Sequence, residues 1–142
     1  MRALVAAIAM VCLGTTAVTP QNRASLTVIA EGVNNTRGVV GVLVFKSSRG
    51  WPESPASAFA RKDVPAQVGR TVLEFAGLPP GDYAVVVLHD ENKNMKLDRN
   101  WFGKPREQWG MSNNPKAWFS APSFDEARFR LDRDLQITVR MN

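Results

Sequence analysis

The chain contains one cysteine, one histidine and one tyrosine in 142 residues, and each shortage excludes some chemistry. The lone cysteine, Cys12, leaves no second thiol for a disulfide. The lone histidine, His89, cannot build the multi-histidine ligand sets that zinc and similar metals favour. No apolar run reaches the ~20 residues that a helix needs to cross a bilayer. No dense lysine and arginine tract occurs either: net charge is +5, but charges of both signs are interspersed, which excludes nucleic acid as the expected partner. What is present is ordinary for one folded domain, with 44% apolar and 22% charged residues.

The first residues differ in kind from the rest. Met1-Arg2 gives a positive start, Ala3 to Leu13 is uninterruptedly apolar, and Gly14-Thr15-Thr16-Ala17 supplies small residues suited to cleavage. This pattern predicts a signal peptide over 1–17, with cleavage as late as Ala24 the alternative. The mature chain is then periplasmic or secreted, without a thiol and without a transmembrane segment. Lipid attachment at Cys12 is disfavoured by the bulky Val11 before it.

From residue 25 to 142, short β-rich runs alternate with Gly, Pro, Asn and Asp. Leu26 to Val33 places Leu26, Val28 and Ala30 on one face. Val39 to Phe45 is apolar on both faces, which predicts a central strand covered by the facing sheet on one side and by a loop on the other. Further strands are expected at Asp63 to Val68, Thr71 to Phe75, Tyr83 to His89, Asp125 to Leu131 and Leu135 to Met141, with at most a helical turn over Ser57 to Arg61. The pattern predicts an all-β fold: a single antiparallel Greek-key sandwich of about seven strands, immunoglobulin-like or prealbumin-like. Between Asp90 and Ser123 no periodicity is legible. The Trp, Phe and Met content of that stretch predicts one long ordered loop rather than disorder.

Several motifs occur in a fixed order. Gly50-Trp51-Pro52 is followed by Phe75-x-Gly77-Leu78-Pro79-Pro80-Gly81-x-Tyr83, which runs into His89-Asp90-Glu91-Asn92-x-Asn94-x-x-Leu97-Asp98. Trp101-Phe102-Gly103-x-Pro105, Gly110-x-Ser112-Asn113-Asn114 and Pro122-Ser123-Phe124-x-x-Ala127 come later. In these motifs the chain resembles a bacterial family of exported proteins known only as domain-of-unknown-function family two-one-four-one. More distantly, the strands around Pro79-Pro80-Gly81 are similar to prealbumin-like and collagen-adhesin B-type sandwiches. The resemblance implies fold and compartment and carries over no activity.

Two sets of residues are candidates for a site. Asp90, Asn92, Asn94 and Asp98, with the backbone carbonyl of Lys96, fall at the offsets of a calcium loop. Met95 stands where such a loop has glycine, and Trp101 where it has glutamate. The competing reading is that these are turn residues, since Asn and Asp bond their own backbone. The second set is aromatic: Trp51, Trp101, Phe102, Trp109 and Trp118 fall in connections, where flat rings bind ligands or else form a satellite core. Catalysis finds less support. His89 lies beside Asp90 and Glu91, but Ser112, Ser120 and Ser123 sit in no Gly-x-Ser-x-Gly turn. Arg128 and Arg130, near Arg133 and Arg140, read as a solvated strand face.

The sequence therefore predicts a non-enzymatic envelope binding module that holds a protein, peptide or glycan through the Asp90–Ser123 loop. A calcium-stabilised structural module is the alternative, and a hydrolase built on His89 and its neighbouring carboxylates is the third reading.

Overall fold

Two-residue alternation, which puts every second side chain on the same face, sorts the described chain into two packed sheets. The computed structural model describes residues 22–117 and 120–142. The expected leader with Cys12, and Trp118 and Phe119, lie outside those residues. In chain order the elements are β1 (Ala24–Val33), β2 (Val39–Phe45), β3 (Ala60–Pro65), β4 (Gly69–Leu78), β5 (Gly81–Asp90), β6 (Trp109–Met111), α1 (Phe124–Ala127), β7 (Phe129–Leu131) and β8 (Leu135–Arg140). None of the described helices is long and apolar enough to cross a membrane.

The smaller sheet has the order β4-β1-β8, and the larger has β3-β2-β5-β6, with β7 joining the β6 edge of β5 further along. All pairings are antiparallel except β1 with β8, where Leu26 faces Leu135 and Ala30 faces Val139 in parallel register. Tight turns impose antiparallel direction only on sequence neighbours. β8 arrives from the opposite sheet and is free of that constraint.

Between the sheets, Leu26, Val28 and Ala30 of β1, Leu73 and Phe75 of β4 and Val139 of β8 meet Val40, Val42 and Val44 of β2 and Tyr83, Val85 and Val87 of β5. Tyr83 is fully buried, and its hydroxyl donates to the Pro79 carbonyl at 2.6 Å, so the ring fills the core without orphaning its polar end. The expectation for β2 holds in part: on its other face Phe45 is buried, whereas Val39, Gly41 and Leu43 are half-buried. A second core of Phe45, Ala84, Met111, Phe124 and Ala127 lies outside the larger sheet. Trp51 packs edge-on between Phe45 and Phe124, with centroids 5.3 and 6.0 Å away, and its indole N–H donates to the Pro122 carbonyl.

Four local expectations are corrected. The strand expected from Asp125 begins only at Phe129. Ahead of it, Ser123 caps α1 in a capping box with Glu126, each side chain accepting from the other's backbone N–H. The strand placed at Asp63–Val68 lies at Ala60–Pro65, in register with β2, and the helical turn is a 3-10 turn at Pro55–Ser57. The long loop contains a strand, β6, which makes Trp109 a strand residue. Just after β6, Ser112 is buried: its hydroxyl accepts from Val85 N and donates to the Ala127 carbonyl at 2.6 Å, bridging β5 to α1.

Candidate functional site

The outer face of the larger sheet is only partly covered by the second core. Register places Asp63, Gly41, Leu88 and Trp109 in one row across β3, β2, β5 and β6, and Arg61, Leu43, Val86 and Met111 in the next. Gly41, Leu43, Val86, Leu88 and Trp109 are half-buried rather than sealed. They floor a groove of about 830 Å³, which is roofed and rimmed by Pro52, Glu53 and Pro55 and by Lys93, Met95, Lys96, Leu97, Arg99, Lys104 and Pro105 of the long loop. The groove thus has an aliphatic floor with one indole. Its rim carries Arg61, Lys62, Lys93, Lys96, Arg99 and Lys104 against Glu53, Asp63 and Asp90.

Three carboxylates fix the loop over this floor. Asp90 ends β5 on the groove side, and its two oxygens accept the backbone N–H groups of Asn94 at 3.1 Å and Met95 at 2.7 Å. Asp98 accepts the side-chain amides of Asn92 at 2.6 Å and Asn94 at 2.9 Å. Glu107 is buried, and its two oxygens accept from Glu91 N at 3.0 Å and Asp98 N at 3.1 Å. Sequence reasoning missed Glu107. The only available signal was the general need of an irregular buried backbone for side-chain acceptors.

The candidate calcium residues are therefore brought together in one knot. Lys93 and Met95 both adopt left-handed geometry, φ 60 and 59, so Met95 makes the turn expected to demand glycine. The side-chain oxygens, however, face N–H groups rather than one shared centre. Asn92 Oδ1 accepts from Asn94 N, and Asn94 Oδ1 accepts from the backbone N–H of Lys96. Among the described residues no three or more His, Cys, Asp or Glu side chains are grouped to hold a metal.

The aromatic candidates divide. Trp51 and Trp109 both pack against the second core, Trp109 also flooring the groove, while Trp118 lies outside the described residues. Trp101 and Phe102 project from a narrow excursion closed by a bridge between Arg99 and Pro105 and by a 2.7 Å bond from Arg106 N to the Asp98 carbonyl. Trp101 is 96% exposed and Phe102 85%.

His89 lies on the opposite face of β5, fully buried. Its Nε2 is 2.8 Å from the Arg37 carbonyl, which only accepts, so that nitrogen carries the proton. The adjoining Glu91 is tied to the turn between β1 and β2. Hydrogen bonding from Asn35 Nδ2 at 2.9 Å, reinforced by the Arg37 guanidinium, holds its carboxyl below the usual glutamate range. Gly38 completes this junction. At φ +65, a Cβ there would come within 2.6 Å of Glu91 Cα, so only glycine lets the turn lie against the base of the loop.

Residues 28–138 match the family described as uncharacterized protein conserved in bacteria, DUF2141. The chain is a DUF2141 protein. The match bears out the resemblance drawn from its motifs, and it runs from β1 into β8, so the DUF2141 unit takes in both sheets, the groove and the loop. No curated protein and no solved structure is significantly similar to this DUF2141 chain.

Proposed function

We propose that this protein is a non-enzymatic binding module, exported to the envelope, that receives an elongated ligand in the groove beneath the Asp90–Ser123 loop. The observation that carries the reading is the half-open floor of Gly41, Leu43, Val86, Leu88 and Trp109 beside a rim in which cations outnumber acids. The Glu53–Arg99 pair cancels one charge of each sign, and the remaining five cations against Asp63 and Asp90 leave the rim's field positive. Burial of apolar surface is non-directional, so the aliphatic floor supports an alkyl or aliphatic peptide body, and the lysines support a negatively charged end. The sequence expectation of a protein, peptide or glycan narrows accordingly toward an aliphatic, anionic ligand.

Calorimetric titration with dodecanoate, below its micelle concentration, tests this reading on the wild type and Leu88→Asp. The wild type is expected to bind. The variant places a charge on the floor without touching the inter-sheet core and is expected to lose binding by about tenfold or more, a ~1.4 kcal/mol effect. Equal heats from the two proteins would remove the groove from the account.

Calcium stabilisation of the loop is a second reading, favoured by one observation: Met95 takes the left-handed conformation that the sixth place of a calcium loop requires. In that state the Asn92 and Asn94 amides would turn their oxygens toward the ion, alongside Asp90, Asp98 and the Lys96 carbonyl.

A further inference from the structure

The groove makes no use of the most conspicuous apolar surface on the molecule. Trp101 and Phe102 are adjacent and stand almost wholly in solvent. Their turn is nevertheless held. Asn100 Oδ1 accepts the backbone N–H groups of both Phe102 and Lys104 at 3.0 Å, and Asn100 N donates to the Lys104 carbonyl at 2.8 Å. An ordered backbone therefore presents two large rings that the described fold does not cover.

The exposed charges of the same loop are mostly of one sign. Among the described residues, Lys93, Lys96, Lys104 and Arg106 form no ion pair. Of the neighbouring acids, Glu53 and Glu91 are paired with Arg99 and Arg37, Asp90 and Glu107 are buried and Asp98 is half-buried, so the charge this loop exposes is mainly cationic.

Shape decides between a protein and a bilayer as the partner. A specific protein interface needs roughly 800 Å² on each side. Two rings of about 150–250 Å² each, on a turn flanked by Arg99, Asn100 and Lys104, offer a point rather than a patch. A bilayer surface accepts such a point, because aromatic rings settle at headgroup depth and lysines and arginines meet anionic headgroups. We propose that Trp101 and Phe102 insert into the surface of an anionic bilayer, with Lys93, Lys96, Lys104 and Arg106 on its headgroups. The insertion itself rests on the Trp101–Phe102 tip, while Lys93, Lys96 and Lys104 are shared with the rim of the groove.

The test is sedimentation of the full chain with vesicles of equal parts phosphatidylglycerol and phosphatidylcholine, or of phosphatidylcholine alone, for the wild type and a Trp101→Ala, Phe102→Ala double variant. Both proteins keep the apolar N-terminal run, so binding through that run appears equally in each. The wild type is expected to partition about tenfold or more better than the double variant onto the anionic vesicles, and to bind them better than the neutral ones. Lipid with brominated chains supplies a second readout: it is expected to quench wild-type emission, and Trp101→Phe is expected to lose that quenched component. Equal quenching in Trp101→Phe, or phosphatidylcholine binding as strong as binding to the anionic vesicles, would overturn the proposal. Removing rings that project into solvent is expected to leave the melting temperature unchanged.

Discussion

The carboxylate of Glu107 reaches back across the loop to the backbone amide of Glu91, Oε1 to N at 3.0 Å, and so ties the entry to β6 to the exit of β5. Its other oxygen takes the amide of Asp98, so one buried side chain holds the loop at two points, together with the bonds made by Asp90 and Asp98. Glu107→Ala leaves two amides without acceptors, at about 1–3 kcal/mol each, and is expected to lower the melting temperature by roughly 5 °C or more. Glu107→Gln keeps one acceptor oxygen and should fall between. A Glu107→Ala protein that melts with the wild type would show that the staple contributes nothing.

Gly38 and Gly69 make a matched pair. Both have positive φ, +65 and +81, but a Cβ at Gly38 would strike the backbone of Asp90 and Glu91, whereas one at Gly69 meets nothing within 4 Å. Gly69→Ala is expected to cost only the ~1 kcal/mol of left-handed alanine. Gly38→Ala should cost clearly more and loosen the loop base, as denaturant unfolding with indole fluorescence would show. Equal costs would mean that the turn does not press on the loop.

Glu91 makes the junction sensitive to acid. Its carboxyl is held below the ordinary value of 4.5 by the Asn35 amide and Arg37, so the stability it contributes is complete above that value and is lost as pH falls through the lower, folded one. Thermal melts of the wild type and Glu91→Gln from pH 7 to pH 3 are expected to converge at the acid end. A difference that persists unchanged to pH 3 would contradict the assignment.

Calcium is testable by its linkage to folding. A ligand that binds only the native loop raises the melting temperature, by an amount equivalent to about 2.7 kcal/mol at a hundred times its dissociation constant. On the calcium reading, millimolar Ca²⁺ raises the melting temperature of the wild type but not of Asp90→Asn, Asp98→Asn. Identical melts with Ca²⁺ and with chelator would leave the knot a hydrogen-bonded turn.

Much of this architecture is legible from alternation. Val39–Phe45 appears with its true ends because both faces are apolar, and Leu135, Ile137 and Val139 alternate cleanly with Gln136, Thr138 and Arg140. β6 is not legible: three residues carry no period, and they are a strand only because Val86, Val87 and Leu88 offer a free edge. At α1 the capping-box spacing Ser123–Glu126 is present in the sequence, but the alternation of Arg128 and Arg130 with Phe129 and Leu131 extends a strand pattern over it. The loop residues Asp90, Asn92, Asn94 and Asp98 are legible as a set, whereas Glu107 is not, because its partners are backbone amides distant in sequence. The groove itself depends on sheet register, which brings Gly41, Leu88 and Trp109 into one row, and no local pattern encodes that row.

The most direct test of the central claim is amide and indole NMR of the isotope-labelled protein titrated with dodecanoate. Shifts are expected only at Gly41, Leu43, Val86, Leu88, the Trp109 indole and the Lys93–Lys96 backbone, with the inter-sheet residues Val28 and Val139 unmoved. Shifts scattered over the smaller sheet, or none at millimolar ligand, would contradict it.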